Sequence, residues 1–316
     1  MVVSVASGKG GTGKTTVAVN LFLASAALKS GGVSHGGERE ILDPGITFLD
    51  CDVEEPNAHI FLKPDIHEHV SVFTMVPRII PERCSHCGTC ARVCVFNAIL
   101  SAKQTTVVLE RLCHGCGACV LFCPRKAVVE DCREIGVIEI GSVGPGLVFG
   151  QGILRTEEVL TTRVIAELKR RVKRQGFTII DAPPGASCPM VEAVKGSDFC
   201  ILVAEPTPFG MHDLALAVEV VRKLGIAAGV VVNRSDSGDR SIFRFCDDHH
   251  LPVLLEIPFD RKLMEYYADG RACVCCSERY LDMFKLLFTR LNEEVRKQSG
   301  SMGKRPKNGV TIGRDP

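Results

Sequence analysis

"VVSVASGKGGTGKTTVAVN" (2–20) reads as a strand, a glycine loop and the start of a helix. Val2–Ala6 has the length and valine content of a buried strand. Gly8, Lys9, Gly10, Gly11, Thr12, Gly13, Lys14 and Thr15 then satisfy G-x-x-x-x-G-K-[ST]. The following "TTVAVNLFLASAALKS" (15–30) is rich in Ala and Leu and lacks Pro and Gly, as a helix requires. This order aims backbone N–H groups and a helix N-terminus at phosphates. In such a loop Lys14 reaches the β- and γ-phosphates, the Thr15 hydroxyl ligates Mg²⁺, and Thr16 continues the cradle.

Working outward, several apolar runs end in a polar residue or a Pro/Gly turn. They are "ITFLDCDVEEPN" (46–57), "FTIIDAPPG" (177–185), "FCILVAEPTPFGMHDL" (199–214), "GVVVNR" (229–234) and "LPVLLEIPFD" (251–260). These read as buried strands, and their resemblance, in this order, to the segments of P-loop ATPases implies an α/β fold with a doubly wound, mostly parallel sheet. "RTEEVLTTRVIAELKRRVKRQ" (155–175) places Val164, Leu168 and Val172 on one helical face that packs back on that sheet.

The cysteines form a second signal. Of sixteen, eight fall between Cys84 and Cys123. Cys84, Cys87, Cys90 and Cys94 follow C-x2-C-x2-C-x3-C, and Cys113, Cys116, Cys119 and Cys123 repeat it 29 positions later (84 to 113, 94 to 123). The flanks echo as well, "VFNAIL" after Cys94 and "PRKAVV" after Cys123, so the segment is an internal duplication. A close three-cysteine loop wraps three corners of an iron–sulfur cubane, and the fourth cysteine of each run ligates the other cluster. By that rule Cys84, Cys87, Cys90 and Cys123 hold one 4Fe–4S centre, and Cys94, Cys113, Cys116 and Cys119 the second. The competing reading is zinc, which typically takes cysteine pairs separated by a longer spacer. With eight thiolates available, His86 and His114 read as exposed spacers.

Two family resemblances follow from these residues. "KGGTGKT" (9–15), with its early Lys9, resembles the deviant Walker A motif of the MinD, ParA, Mrp and nitrogenase iron-protein group, a SIMIBI-type P-loop fold. The resemblance implies that Lys9 reaches a partner's nucleotide across a dimer interface, with Lys9, Lys14 and Asp52 catalytic. It places Asp52 in switch I, positioning the attacking water, and Asp50 in the Mg²⁺ shell, with a plain strand-end or turn carboxylate as the alternative description of Asp50. It further implies Asp181 on Mg²⁺ through water, Gly185 near the γ-phosphate, and Asn233 and Pro258 around the adenine. Residues 78–133 resemble a bacterial two-cluster ferredoxin domain, departing from it at Val95, where Pro is usual. The whole resembles a MinD-superfamily ATPase with an α+β ferredoxin inserted after switch I and before Walker B.

The expected division is therefore 1–77 and 134–296 for the ATPase, 78–133 for the insert and 297–316 for a disordered tail. "TMVPRIIPER" and "DCREIGVIEIGSVGPGLVFGQG" read as its Pro- and Gly-marked junctions, and 30–45 as a flexible surface excursion. The expected ligands are ATP or ADP, Mg²⁺ and two 4Fe–4S clusters. Expected partners are a second copy or a related ATPase, and a redox or metallocluster protein.

Composition limits the alternatives. The chain has 316 residues, 46% hydrophobic, with net charge +1, no Trp and three Tyr. Nothing there advertises nucleic acid or an anionic membrane, and no run is long enough for stable membrane insertion. Cysteine abundance without a leader points to a cytoplasmic redox or metal protein. The last helical run carries Leu281, Phe284, Phe288, Leu291 and Val295 on one face above a mixed-charge face, which favours core packing over a membrane surface. Cys188 is either a nucleotide-responsive thiol or a buried small hydrophobe. Cys273, Cys275 and Cys276 are either a labile metal site or a packed, redox-sensitive group. Cys51, Cys132, Cys200 and Cys246 read as having no role. Three functions remain: ATP-driven electron transfer, a metallocluster carrier or scaffold, and a MinD/ParA-like positioning ATPase.

Overall fold

The computed structural model describes residues 1–30, 45–172, 176–238 and 240–302. Residues 31–44 of the expected surface excursion (30–45) and 303–316 of the expected tail lie outside these. The first half of the chain runs β1 (Val2–Ala6), α1 (Lys14–Ser30), β2 (Ile46–Asp50), α2 (Ala58–Leu62), β3 (Asp65–Ile79), α3 (Thr89–Val93), β4 (Ile99–Ala102), β5 (Thr105–Val108), α4 (Ala118–Leu121), β6 (Val128–Gly144) and β7 (Leu147–Leu154). It continues α5 (Thr161–Arg171), β8 (Phe177–Asp181), α6 (Cys188–Val194), β9 (Phe199–Ala204), α7 (Pro208–Lys223), β10 (Ala227–Asn233), α8 (Ser241–Asp248), β11 (Val253–Ile257), α9 (Arg261–Ala268) and α10 (Glu278–Met302).

Among the described residues nine strands form one sheet in the order β11-β10-β9-β1-β8-β2-β7-β6-β3. Pairing is parallel from β11 to β7, and β6 and β3 close the edge antiparallel. Alternation along the central strands builds two cores. Val3, Phe48, Ile179 and Val231 face α1 and α10, while Leu49, Ile180, Val230 and Val232 face α5 to α8. Both faces are covered, so these strands read as continuous apolar runs and not as alternating ones. Phe48 stacks on Phe149 at 6.1 Å and meets Phe22 edge-on at 5.6 Å. Burying each such ring contributes about 1.5–3 kcal/mol. Val164, Leu168 and Val172 are buried in the second core, and Phe284 and Leu291 of α10 in the first.

The expected junctions are not linkers. "TMVPRI" lies in β3 and "DCREIGVIEIGSVGPGLVFGQG" forms most of the β6–β7 hairpin. The β3–β6 ladder extends from Asp65 opposite Ser142 to Ile79 opposite Val128. Pro77 is accommodated because β3 is the sheet edge, where a missing N–H costs no ladder bond. Residues 80–127 hang from the far end of this ladder and hold the β4–β5 hairpin, α3 and α4. The tail expected from 297 is corrected in part, because α10 continues through Met302.

Candidate nucleotide cleft and cluster site

The phosphate loop joins β1 to α1 at the centre of the sheet. It is bound from three sides: Ala182 N–H donates to Val5 O, Gly185 N–H to Ser7 O, and Asn233 Nδ2 to Thr12 O at 2.8 Å. Gly13 has φ +90°, and a Cβ there would lie 2.5 Å from Asn233 Nδ2. Gly8 packs on α7, where a Cβ would lie 2.2 Å from Asp213 O.

A cleft of about 1390 Å³, open mouth included, lies over this loop. Of the expected nucleotide residues, Lys9, Gly10, Gly11, Gly13, Lys14, Thr15, Thr16, Asp52, Asn233 and Pro258 line it; Gly8, Thr12 and Gly185 do not. Phe259, Met264 and Tyr267 line it too, each an exposed large apolar side chain beside Pro258. Sequence reading passed over these three. Their only signal is the position of "PFDRKLMEYY" directly after the last strand.

At the floor, Lys14 Nζ donates to Asp181 Oδ1 at 2.5 Å and lies 3.8 Å from Asp52. Burial alone pulls the Lys14 ammonium down, but the charge and hydrogen bond of Asp181, backed by Asp52 and Asp50, outweigh it and hold its pKa above the ordinary value. Burial pushes Asp52 up to about 6 against the pull of Lys14, with Asp181, Glu54 and Glu55 adding to the rise. Asp50 is fully buried. Its Oδ1 accepts from Asp52 N–H, and its Oδ2 from Asn57 and Ala58 N–H. The expected Mg²⁺-shell residue thus has both oxygens on backbone amides, clamping the Asp52 segment to the end of β2. Asp181 Oδ2 and Thr12 Oγ1 are buried without a hydrogen-bond partner. Lys9 lies 3.9 Å from Glu205, which also faces Arg234 at 3.3 Å.

The duplicated segment folds into two matching halves. Gly88 and Gly117 cap α3 and α4 in the left-handed region, and Ala98 N–H to Cys94 Sγ (3.3 Å) is mirrored by Ala127 N–H to Cys123 Sγ (3.2 Å). One cavity is lined by Cys84, Cys87, Cys90 and Cys123, the other by Cys94, Cys113, Cys116 and Cys119. These are the two crossed sets, and N–H···S bonds to Cys94, Cys113 and Cys123 suit thiolates. Among the described residues no three His, Cys, Asp or Glu side chains converge as ligands of a single ion, so each set surrounds a cavity and not a point. His114 is exposed and stacks on Phe96 at 3.9 Å, but His86 is not a free spacer. It is half-buried, 3.1 Å from Thr106 Oγ1 and 3.7 Å from Cys84 Sγ.

The other thiols separate. Cys188 is exposed at the start of α6, which removes the buried-hydrophobe reading. Cys273 is buried, donates to Asn20 Oδ1 at 3.2 Å and is pushed up to about 12 by burial, while Cys275 is exposed. Cys51, Cys200 and Cys246 are buried, and Cys132 is exposed.

A 4Fe–4S dicluster domain family matches residues 74–128. The chain is 30% identical over 277 residues to the uncharacterized protein MJ0579 of Methanocaldococcus jannaschii, covering 86% of this chain and 91% of that protein. The chain belongs to the MJ0579 family. A second protein of the same organism, MJ0578, is 29% identical over 297 residues, 93% of this chain and 98% of that one. The septum site-determining protein MinD of Pyrococcus horikoshii, solved with Mg-ADP, superposes with a TM-score of 0.56 at 20% identity, over 96% of this chain and 99% of that chain. The cell division ATPase MinD of Pyrococcus furiosus gives 0.55 at 20% identity, over 92% and 98%. This MJ0579-family protein therefore has the MinD-type P-loop fold and carries an iron–sulfur binding domain of dicluster type. Among its described residues no helix is long and apolar enough to cross a membrane.

Proposed function

We propose that the chain is an ATPase working as a nucleotide-dependent dimer, which couples Mg·ATP binding and hydrolysis to electron transfer to a redox partner. The observation that carries this reading is the seating of both chemistries on one sheet. The phosphate loop follows β1, and the cysteine-lined cavities hang from β3 and β6 of the same sheet.

The residues present fit the ligands. Asp181 Oδ2, buried and unpartnered, and the Thr15 hydroxyl are the donors that suit Mg²⁺. Lys14 neutralises phosphate charge, leaving Asp181 for the β- and γ-oxygens. Asp52, held over the cleft by Asp50, orients the attacking water. Lys9, 35% exposed and held by Glu205, is placed to turn outward to a second subunit. Phe259, Met264 and Tyr267 offer an apolar seat for the base. The two cysteine sets each present four sulfurs, and the clusters they would hold supply one-electron chemistry.

The test is an anaerobic redox titration of the reconstituted protein, read by EPR, without nucleotide and with ATP or ADP. A shift in potential or reduction rate between nucleotide states supports coupled electron transfer. Identical values, with ATPase activity unaffected by reduction, would discard it in favour of a cluster carrier or scaffold.

A further inference from the structure

The two cysteine cavities are not equivalent in their surroundings. The cavity of Cys84, Cys87, Cys90 and Cys123 is lined entirely by residues 84–128. The cavity of Cys94, Cys113, Cys116 and Cys119 is also walled by Met75, Val76 and Pro77 of β3. Its Cys113–Cys116 loop is wedged against the nucleotide-binding body at Gly115. A Cβ on Gly115 would lie 2.7 Å from Thr74 Oγ1, 2.9 Å from Met75 O and 3.4 Å from Arg163 Nη1. Gly115 N–H in turn donates to Cys113 Sγ at 3.4 Å.

Arg163 belongs to α5 and donates to Thr74 Oγ1 at 3.1 Å. Two residues earlier, Thr161 Oγ1 donates to Glu54 Oε1 at 2.9 Å. Glu54 follows Asp52 by two residues, and Asp52 faces Lys14. Val53 between them is buried, with its carbonyl accepting from Leu154 N–H at 2.7 Å. The same stretch holds the cluster lobe by an ion pair of Arg111 with Glu157, and the β6 strand that carries the lobe by one of Arg133 with Glu158, a nearly buried carboxylate. The segment 154–163 thus touches the Asp52 loop on one side and, through Arg163, Thr74 beside the Gly115 loop on the other.

We propose that this segment transmits the position of the Asp52 loop to the Cys94/Cys113/Cys116/Cys119 site, making that cluster, and not the other, responsive to nucleotide. The inference rests on the coupling of nucleotide and redox chemistry proposed above. Movement of Glu54 pulls on Thr161 and turns the first turn of α5. Arg163 then shifts against Thr74 and Gly115, changing the N–H···S bond to Cys113. Hydrogen bonds to cluster sulfurs set reduction potential, and a chain of packed, bonded groups is a physical route for coupling. Arg163 and Thr161 are positioning residues, since neither touches a ligand cavity.

The test uses the full chain with both clusters reconstituted anaerobically. Potentials are measured by EPR without nucleotide, with Mg·ADP and with a non-hydrolysable Mg·ATP analogue. The signal lost in Cys94→Ser identifies the second cluster. In the wild-type chain that signal is expected to shift between nucleotide states while the other stays fixed. Thr161→Val and Arg163→Met are each expected to cut the shift by at least half without changing the nucleotide affinity of the oxidised protein, and Arg163→Lys to restore part of it. Arg163 is largely exposed, so its variants probe the link should Thr161→Val fail to fold. A nucleotide-dependent shift that survives both variants, or that belongs to the Cys84 set, overturns the inference and leaves the coupling reading standing. No shift in either wild-type cluster overturns the inference, and the coupling reading falls with it when reduction rates are also the same in every nucleotide state and reduction leaves ATPase activity unchanged.

Discussion

Lys14 and Asp181 form an ion pair beneath the phosphate loop, with 7% and 0% of their side chains exposed. Removing one member of such a pair strands the other's charge in the interior, typically at about 3–5 kcal/mol. Lys14→Met leaves Asp181 and Asp50 buried without their cation, and Asp181→Asn leaves the ammonium without its hydrogen-bonded carboxylate, with only Asp52 and Asp50 to offset it. Each is expected to destabilise the nucleotide-free chain by about that amount. The double variant is expected to lose much less than the sum. Urea unfolding of the four proteins in a cycle checks this, and additive losses would contradict it.

Asp52 titrates near pH 6 because burial outweighs the pull of Lys14. A carboxylate that orients water acts in its charged form, which is present above its pKa and lost below it. Turnover of ATP is therefore expected to fall as pH drops through about 6. Asp52→Asn is expected to lower turnover by about 10²–10⁴-fold and to abolish that limb. A wild-type rate that is flat from pH 5 to 7.5 would remove Asp52 from this role.

What could be read from the sequence follows from how local each signal is. The phosphate loop and the cysteine runs are contiguous motifs whose chemistry demands fixed spacing, so their placement around cavities needed no tertiary information. β3 and β6 were missed because Pro77, Gly136, Gly141 and Gly144 mimic turn signals. Only the edge position of β3 makes Pro77 harmless, and edge position is a tertiary property. Phe259, Met264 and Tyr267 carry no motif; they become a cleft wall because β11 brings them beside Pro258. The partners of Asp50 depend on how the loop after β2 folds back on it, and the bridge from Glu54 to Thr161 joins residues far apart in the chain; no periodicity reports such bonds.

Crossed ligation makes a prediction that iron counting decides. Cys87 and Cys123 line one cavity, Cys116 the other. Cys87→Ser, Cys123→Ser and the pair together are each expected to lose the same cluster, leaving about half the iron and one EPR signal. Cys123→Ser combined with Cys116→Ser is expected to lose both. Uncrossed ligation gives the reverse, with Cys116 and Cys123 falling in one set.

Variants of the apolar cleft wall test the proposed seat of the base apart from hydrolysis. Phe259 is 51% exposed and Tyr267 46%, areas that a bound base would cover. Phe259→Ala and Tyr267→Ala are expected to weaken ATP and ADP equally, each by about 1–2 kcal/mol, with turnover at saturation unchanged. Calorimetric titration of both nucleotides measures this, and unchanged affinity in both variants would place the base elsewhere.

Gly115 and Gly117 share a left-handed backbone, at φ +67° and +73°. They differ in what surrounds them. A methyl on Gly117 would meet only Glu130 Oε1, at an ordinary 3.5 Å, so Gly117→Ala carries the conformational cost alone, about 1–2 kcal/mol. A methyl on Gly115 would collide with Thr74 Oγ1 and the Met75 carbonyl, the second of which is backbone and cannot turn away. Relief requires the Cys113–Cys116 loop to lift off β3, carrying Cys113 and Cys116 out of register with Cys94 and Cys119. Gly115→Ala is therefore expected to lose the second cluster selectively, keeping the Cys84-set signal, while Gly117→Ala keeps both. Equal retention of the two clusters in both variants would show that this loop is not held against the nucleotide-binding body in solution.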